Sequence, residues 1–313
     1  MILLVLSRIA IMIPNLIILT LLLFAATTSF LGTPAAIMLG EDASPETIAE
    51  LNARLGFDQP LMVRYWTWMT DALGGDFGRS YSTQQQVSEM IADALPLTLE
   101  LALWAIFIAF VGAALVNSVT VFKGVVDRLT AGIGVIGITV PNFFLGLLFI
   151  YIFSVQLRLL PTTGWSPWSE GVLEHLRHMI LPVMTLTTFY FSSFSLVYKA
   201  EYKSVQNNLF VRAARAKGLT ETRISYRHIL PNSILPLITY AGLSLGQLVG
   251  GAVVTETVFS MPGMGRLLVN AISARDFPVM LAVGMVIIVG VMLLNLLADL
   301  TYSLVNPLVR HNG

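Results

Sequence analysis

The residues best suited to metal chemistry are His175 and His178, which are three positions apart and can share one face of a helix. Glu174 is an acidic neighbour, but no HExxH pattern accompanies the pair. We therefore predict interfacial structural roles for these histidines and no metal site. An intramembrane protease is also disfavoured, because it needs a nucleophile and a base inside the bilayer and His228 lies at the end of an apolar run. The chain has no cysteine, which excludes disulfides and thiolate chemistry.

The sequence also indicates whether this chain can bind a nucleotide. The chain contains no phosphate loop of the form GxxxxGK[ST]. Its glycine-rich stretches, GQLVGG and PGMGRL, lie in an apolar run and in the loop after it. We therefore expect no cofactor in this chain, so that any ATP and magnesium that drive it bind to a partner. The formal net charge of zero gives no argument for a nucleic-acid partner, and we expect none.

Three carboxylates lie in or near long apolar runs, where a charge is expensive to bury. They are Glu100, Glu256 and Asp299. One interpretation makes all three helix-end residues that are satisfied by the backbone or by a neighbouring subunit. Another makes Glu256 part of an outer gate or of a docking surface, and the residues alone leave both interpretations open.

A row of glycines at four-residue spacing marks the apolar run before residue 260. Gly242, Gly246 and Gly250 form the row, and Gly251 follows it. Glycines on one helix face let a neighbouring helix approach closely. The row predicts either helix packing or one wall of a translocation path. The two roles are compatible, because such paths form where subunits meet.

The elements that must position these residues are membrane-spanning helices. Of the 313 residues, 56% are hydrophobic and 12% are charged, whereas soluble domains carry about 25% charged residues. Apolar runs of roughly 20 residues predict an all-α polytopic membrane protein, because in hydrocarbon a helix satisfies its own backbone. We predict six transmembrane helices, at about 8–31, 96–121, 129–157, 179–198, 230–258 and 279–305.

The distribution of lysine and arginine predicts the orientation of these helices. Seven of these residues fall between positions 199 and 227, and Arg8 and Arg310 lie on the same side in this topology. The segment 32–95, on the other side, has three arginines against nine acidic residues. We therefore predict a multi-pass protein of a bacterial inner membrane, in contact with lipid, with both termini cytoplasmic.

The segment 32–95 is too long to be a plain connection. SPETIAELNARLG predicts a helix with Ser44 at the N-cap, Pro45 in the first turn and Gly56 as the stop. PLMVRYWTWMTDALGG predicts a second, amphipathic helix whose aromatic residues favour the water–lipid boundary. We expect an extracytoplasmic helical subdomain here. The predicted division is then 1–31 with the first span, 32–95, and 96–313 with a cytoplasmic coupling segment at 199–229.

The polar segment between the predicted fourth and fifth spans carries the most specific signal. FVRAARAKGL combines helix formers with small residues at 213, 214 and 216 and with Gly218 at the C-terminal stop. Charge alone would fit a loop that only sets topology. Small side chains on an exposed helix, however, add little to the stability of that helix. They suit a helix that a groove on another protein receives closely.

This segment resembles the cytoplasmic coupling motif of the permeases of binding-protein-dependent ABC importers. The motif reads EAA, three residues, Gly, nine residues, then I-x-L-P. Arg212 stands in place of the general Glu, and His228 in place of the Ile. The positions that match the motif's coupling residues are Arg212, Ala213, Ala214, Gly218, Leu230 and Pro231.

The chain is similar over nearly its whole length to the branch of this family that imports dipeptides, oligopeptides and nickel. Each matching segment is weak alone, but their conjunction is specific. The segments are LGFDQPLMVRYWTWM (55–69), GGDFGRSY (74–81), LPLTLELAL (95–103), LPTTGW (160–165), the long match at 250–279 and NLLADLTYSLVNPLVR (295–310).

The resemblance implies a type I ABC importer permease fold and no enzymatic chemistry in this chain. It implies a homologous second permease subunit, two ATP-binding subunits and an extracytoplasmic solute-binding protein as partners. The helix around 206–220 would sit in a groove of one ATPase, whose closure would rock the spans between inward-open and outward-open states. The subdomain at 32–95 and the loop 259–278 would face the binding protein. The gate or docking residues predicted around that loop are Glu256, Pro262, Gly263, Gly265, Arg275 and Asp276.

The predicted function is therefore that of a permease subunit that forms half of the translocation path of an importer of di- or oligopeptides. Nickel chelates, glutathione and opine- or sugar-like solutes are the alternative substrates within the same class. Two alternatives belong to other classes. An ATP-independent secondary transporter would call for inverted repeats or buried ion-binding carboxylates, and an intramembrane enzyme for a polar catalytic cluster in one cavity.

Overall fold

The computed structural model describes residues 2–30, 44–54, 56–120 and 137–305, and the single positions 35, 39, 132 and 134. Within these residues the chain is helical and has no β-strand, apart from an isolated antiparallel bridge between Arg79 and Gln86. Residues 121–128 between the second and third predicted spans, Arg310 and the end of the 295–310 match lie outside the described residues. The helices are α1 (Ile2–Phe30), α2 (Pro45–Arg54), α3 (Leu61–Leu73), α4 (Val87–Thr120), α5 (Asn142–Phe149), α6 (Val172–Gln206), α7 (Leu209–Ala216), α8 (Glu221–Ile224), α9 (Leu230–Val258), α10 (Met264–Ser273) and α11 (Phe277–Val305).

Five helical stretches are long and apolar enough to cross a membrane. A shorter apolar helix, Asn142–Gln156, occupies the second half of the predicted third span, and part of the first half lies outside the described residues. The total of six spans therefore stays a prediction. The five long stretches are Arg8–Thr28, Val87–Ser118, Val172–Gln206, Glu221–Val258 and Phe277–Thr301.

Several helices extend beyond the predicted spans or are interrupted within them. α4 begins at Val87, well before the predicted start at residue 96, and α6 extends beyond 179–198 at both ends. The third span is not one straight α-helix, because the chain is extended at Pro141 (φ −59°, ψ 139°) before α5 begins. Proline cannot donate a backbone hydrogen bond, and it disfavours helical geometry at the residue before it. α5 then widens into a π-helix at Ile150–Gln156.

The local signals in the segment 32–95 were more reliable. α2 starts at Pro45, and the N–H of Thr47 donates to the Ser44 hydroxyl oxygen at 3.2 Å, which confirms the predicted N-cap. Gly56 has a φ of +72°, the left-handed conformation that ends helices and favours glycine. The second predicted helix is α3, which follows Pro60.

The described chain divides into two compact units. The first comprises Ile2–Thr98 and Pro262–Met292. One of its apolar clusters joins α1, α3 and α11 around Phe24, Tyr65 and Leu281. A second joins the start of α4 to α10 and α11. The Tyr65 hydroxyl lies 2.9 Å from the Thr20 hydroxyl, so the first cluster also carries a buried polar contact.

The second unit comprises Leu99–Met261 and the chain from Leu293. Its central helix is α6, which has 35 residues and packs against α5 and α9. The side-chain amide of Asn117 on α4 donates to the Ser195 hydroxyl on α6 at 2.9 Å. The Phe194 ring, on α6, packs edge-on against the Tyr240 ring of α9, with 5.6 Å between the two ring centroids. α6 thus connects most of the helices of this unit.

Candidate functional site

The predicted coupling helix is α7, a short helix between α6 and α8. It ends at Ala216, and Gly218 follows with a φ of +75°. The N–H of Gly218 donates to the carbonyl of Arg215 at 2.9 Å, which closes the last turn. A Cβ atom at Gly218 would meet nothing within 4 Å, so the backbone conformation alone favours glycine there. The prediction of a short helix with a glycine stop is confirmed.

Burial corrects the predicted small-residue face of α7. Ala213 and Ala216 are exposed as expected, but Ala214 is only 8% exposed. It lies three residues after Val211, which is fully buried, and the two occupy the inner side of the helix. The exposed small residues of α7 are therefore Ala213 and Ala216.

Two exposed apolar residues at the start of α7 were missed. Leu209 is 79% exposed and Phe210 is 44% exposed. Leu209, Ala213 and Ala216 follow the i, i+4, i+7 spacing of one helix face, which is opposite to Val211. We call Leu209, Phe210, Ala213 and Ala216 the coupling face. That spacing is visible in the sequence and could have identified Leu209.

One polar contact joins α7 to α8, and another joins the segment after α8 to α6. The hydroxyls of Tyr202, on α6, and Ser225, just after α8, lie 2.8 Å apart and are buried. The Arg215 guanidinium donates twice to the Glu221 carboxylate, at 2.7 and 3.1 Å. A π-helix at Ser225–Ile229 then continues directly into α9.

The end of the coupling motif lies at this junction. Leu230 is buried, whereas Pro231 is exposed in the first turn of α9. Because a π-helix leads directly into α9, this proline leaves one N–H donor out of a continuous helical stretch. Arg212, at the start of the motif, is exposed on α7. The structure therefore brings the motif residues into one short region, while their role in coupling stays a prediction.

The predicted gate or docking residues differ in exposure. Pro262 and Arg275 are exposed and can touch a partner directly. The other four are enclosed by this chain, so they would act through the conformation of the region. These four are Glu256, Gly263, Gly265 and Asp276.

Asp276 is the centre of a buried polar network in the first unit, and only 2% of it is exposed. Its carboxylate accepts hydrogen bonds from the hydroxyls of Ser80 and Ser82 and from the backbone N–H groups of Tyr81 and Ser82. Burial, and then the adjacent Asp276 carboxylate, raise the pKa of Tyr81, which keeps that phenol neutral. Asp276 therefore positions the loop 80–82.

The glycines of α9 have unequal surroundings. A Cβ atom at Gly242 would lie 2.9 Å from the Cβ of Ala298 on α11, so this glycine allows close helix packing. Gly246 is buried. Gly250 is exposed, and a Cβ atom there would meet nothing within 4 Å. The structure thus supports packing at Gly242, and a place in the translocation path stays a prediction for the row.

Residues 242–246 also read GLSLG, which matches the GxSxG spacing of serine hydrolases. A nucleophile elbow requires a sharp strand-to-helix turn that exposes its serine. Ser244 instead lies inside α9, is buried, and donates its hydroxyl to the Tyr240 carbonyl at 2.7 Å. This serine has no nucleophile geometry.

His175 is fully buried and has partners at both ring nitrogens. Nδ1 lies 2.8 Å from the Ser166 carbonyl, to which it must donate, and Nε2 lies 3.0 Å from a carboxylate oxygen of Glu100. The ring stacks on Trp168 at 3.9 Å between centroids. His178 bonds to the backbone of its own helix instead. These contacts support a structural role for His175, and the described residues include no cluster suited to a metal ion.

Comparison with known proteins identifies the family. The model of the binding-protein-dependent transport system inner membrane component matches residues 103–311, and the model of the N-terminal part of such components matches residues 1–102. A crystal structure of an amino acid ABC transporter with histidines has a TM-score of 0.53 and 17% identity, and it covers 68% of this chain and 92% of its own. That likeness supports the all-α permease fold.

Curated relatives match over the full length. The chain is 37% identical over 312 residues to a glutathione transport system permease protein of Salmonella paratyphi A, with 98% of each chain covered. It is 34% identical over 315 residues to a putative peptide transport system permease protein of Brucella abortus, with 99% of each covered. A probable peptide ABC transporter permease protein of Sinorhizobium fredii is 35% identical over 283 residues, with 90% of each covered. The chain therefore belongs to the family of inner membrane permease components of binding-protein-dependent transport systems.

Proposed function

We propose that this chain is a permease subunit of an ATP-driven importer of short peptides and that its coupling face binds a cytosolic ATP-binding subunit. The observation that carries the proposal is the exposure of Leu209 on a short helix that packs its opposite side inward. An exposed apolar stripe beside small residues is the surface that a groove on a partner receives. Family membership supports transport that depends on a binding protein.

The assembly that we infer contains a homologous second permease, two ATP-binding subunits that hold ATP and magnesium, and an extracytoplasmic solute-binding protein. α7 and both termini face the cytoplasm in this arrangement, and the loop 80–82 faces the binding protein. The exposed Gly250, Gly251 and Val254 support a contact with the second permease, because they leave one side of α9 open to close approach.

The geometry around α7 supports mechanical coupling. Arg215 links α7 to α8, which continues into α9, and the contact between Tyr202 and Ser225 links that region to α6. A displacement of α7 by the ATP-binding subunits would therefore reach two apolar helices. Movement of these helices would open the path alternately to each side of the membrane.

The substrate class rests on the relatives, whose names specify peptides and, for the Salmonella protein, glutathione. We propose peptides as the substrates of this chain. Glutathione is the second candidate, because the Salmonella relative covers nearly the whole length. Uptake assays with labelled di- and tripeptides and with glutathione, in cells with and without the transporter, separate the two.

The test of the coupling proposal is co-purification in mild detergent of the tagged chain with its ATP-binding subunits. Ala213→Trp places bulk on the coupling face and should abolish both co-purification and transport, while the protein still inserts. Thr222→Trp adds the same bulk at an exposed position of α8 and is the matched control. Normal transport by Ala213→Trp would overturn the coupling proposal. A chain that purifies alone and moves solute in liposomes without ATP would overturn the importer proposal itself.

A further inference from the structure

A cavity of about 560 Å³ lies within the first unit and has no assigned role. Its walls come from the end of α1, from α3, from residues 76–81 and from the start of α11. The volume falls within the range of about 300–1,000 Å³ that is typical of small-molecule sites. Phe24, Phe57 and Trp68 supply aromatic surface to it.

The cavity carries one cation and one anion on the same helix. Arg64 and Asp71 of α3 both line it, and neither forms an ion pair with another side chain among the described residues. The Arg64 guanidinium lies 4.4 Å from the ring centroid of Phe57 and 5.7 Å from that of Phe24. Burial lowers the pKa of Arg64, but an arginine this far from its neutral form stays charged.

Other charged residues at the cavity already have partners. Arg54 is bound to Glu50 at 2.7 Å, and the Asp76 carboxylate accepts the N–H of Gly78 at 2.9 Å. Arg79 also lines the cavity, as an exposed side chain. The half-buried cation that remains is Arg64, and Asp71 is an exposed acid that no described side chain pairs.

The spacing of these two residues along α3 gives a measure of the length of a matching ligand. Arg64 and Asp71 are seven residues apart, which corresponds to about 10.5 Å along a helix axis. A fully extended peptide of three residues spans about 10–11 Å. The terminal carboxylate of such a peptide would then reach Arg64 and its ammonium group would reach Asp71, while its side chains contact the aromatic walls.

We infer that this cavity binds a zwitterionic peptide of about three residues, with its carboxylate at Arg64 and its ammonium group at Asp71. The choice of a peptide rests on the proposed function. The paired opposite charges and the apolar walls are independent of it. A simple anion would use Arg64 alone and an apolar ligand would use neither charge, whereas a zwitterion meets both. The site would hold substrate on the permease itself, away from the coupling face.

The test uses the full-length chain in lipid nanodiscs without its partners and follows intrinsic tryptophan fluorescence, for which Trp68 is the reporter in the cavity. Trialanine is the probe, and dialanine, pentaalanine, N-acetyl-trialanine and trialanine amide are the comparisons. We expect saturable binding of trialanine and at least a tenfold weaker affinity for each of the others. Trp68→Phe should remove the signal, and calorimetry then reports whether binding persists.

Two variants assign the two ends of the ligand. Arg64→Gln should lose the preference for trialanine over trialanine amide and keep the penalty for acetylation. Asp71→Asn should show the reverse. Arg54→Gln is the matched control, because Arg54 lines the same cavity but is paired with Glu50. Its affinity for trialanine should match that of the unmodified chain.

Three results would overturn the inference. They are no saturable binding at millimolar peptide, affinity that is indifferent to blocked termini, and equal selectivity in Arg64→Gln and the unmodified chain. Weaker docking of the solute-binding protein to Arg64→Gln, without peptide binding to any variant, would assign the cavity to that protein instead. Co-purification with the ATP-binding subunits is measured separately, so failure here leaves the importer proposal standing.

Discussion

The coupling face and the Asp276 network place their candidate functional residues in opposite environments. Leu209 and Ala213, on the coupling face, are both exposed. Asp276 is buried and accepts four hydrogen bonds from the loop 80–82. The comparison teaches that one region can be altered without loss of the fold, whereas the other shapes the fold directly. Substitutions should therefore separate cleanly into functional and structural effects.

The largest effect is expected at Asp276. Asp276→Ala removes the acceptor for four donors and leaves the buried Ser80 hydroxyl without it, which should destabilise the protein by about 3 kcal/mol or more. The apparent midpoint of thermal unfolding of the purified protein in detergent is the measurement. Arg275→Ala, at the exposed neighbour, should leave that midpoint unchanged. An Asp276→Ala protein as stable as the Arg275→Ala control would remove the contrast between the two regions.

The next effect tests close packing within the second unit. Gly242→Ala would bring a methyl group within 2.9 Å of the Ala298 Cβ, and such overpacking costs about 1–3 kcal/mol. That cost should exceed the gain of about 1 kcal/mol in helix propensity. Gly250→Ala is the matched control, with nothing within 4 Å of its new methyl group. If both variants unfold at the same temperature, Gly242 is not a packing residue.

A smaller and local effect is expected at Gly218, where the left-handed backbone costs a residue with a Cβ atom about 1–2 kcal/mol. Gly218→Val should distort the end of α7, so that transport and co-purification of the ATP-binding subunits fall together, while the unfolding midpoint falls by less than in Asp276→Ala. Gly218→Asn should retain more of both, because asparagine tolerates this conformation. Equal transport by the two variants would show that the backbone geometry at Gly218 does not matter for coupling.

The smallest effect is expected at the pair of Arg215 and Glu221. Both side chains are exposed, and an exposed ion pair contributes little to stability because solvent and salt screen it. Arg215→Ala should therefore lower the unfolding midpoint slightly at low ionic strength and not at all in 1 M salt. A cycle with Glu221→Ala measures the coupling between the two. A large coupling energy that persists in high salt would contradict this ranking.

The sequence predicted those elements whose signals are local. The cap at Ser44 and the stops at Gly56 and Gly218 were all correct, because each depends on a few adjacent residues. The predicted exposure of Ala214 was wrong, because the burial of this residue depends on how α7 is rotated against its neighbours. The apolar Val211 indicates which side of α7 is buried, but only once this segment is assumed to be a helix.

Long-range polar contacts could not be predicted. Ser80 and Asp276 are separated by 196 positions, and no periodicity connects them. The contact between His175 and Glu100 is similar, with a separation of 75 residues. In the sequence, Arg64 is only one charge on a predicted amphipathic helix. The cavity beside its side chain cannot be predicted, because it forms only when distant segments of the chain pack together. Orientation, partners and the span count of six remain predictions.

The length of α6 has a mechanical consequence. Its 35 residues make a rod of about 52 Å, whereas the hydrocarbon layer is about 30 Å thick. One end holds His175 and the other Tyr202, so a tilt of about 10° would carry either end through about 9 Å relative to the other. The position at which α6 bends most easily is Pro182, because a proline has no N–H to donate to the helical hydrogen bonds. The stiffness of α6 at Pro182 therefore determines how much of a displacement at one end of the helix is transmitted to the other end.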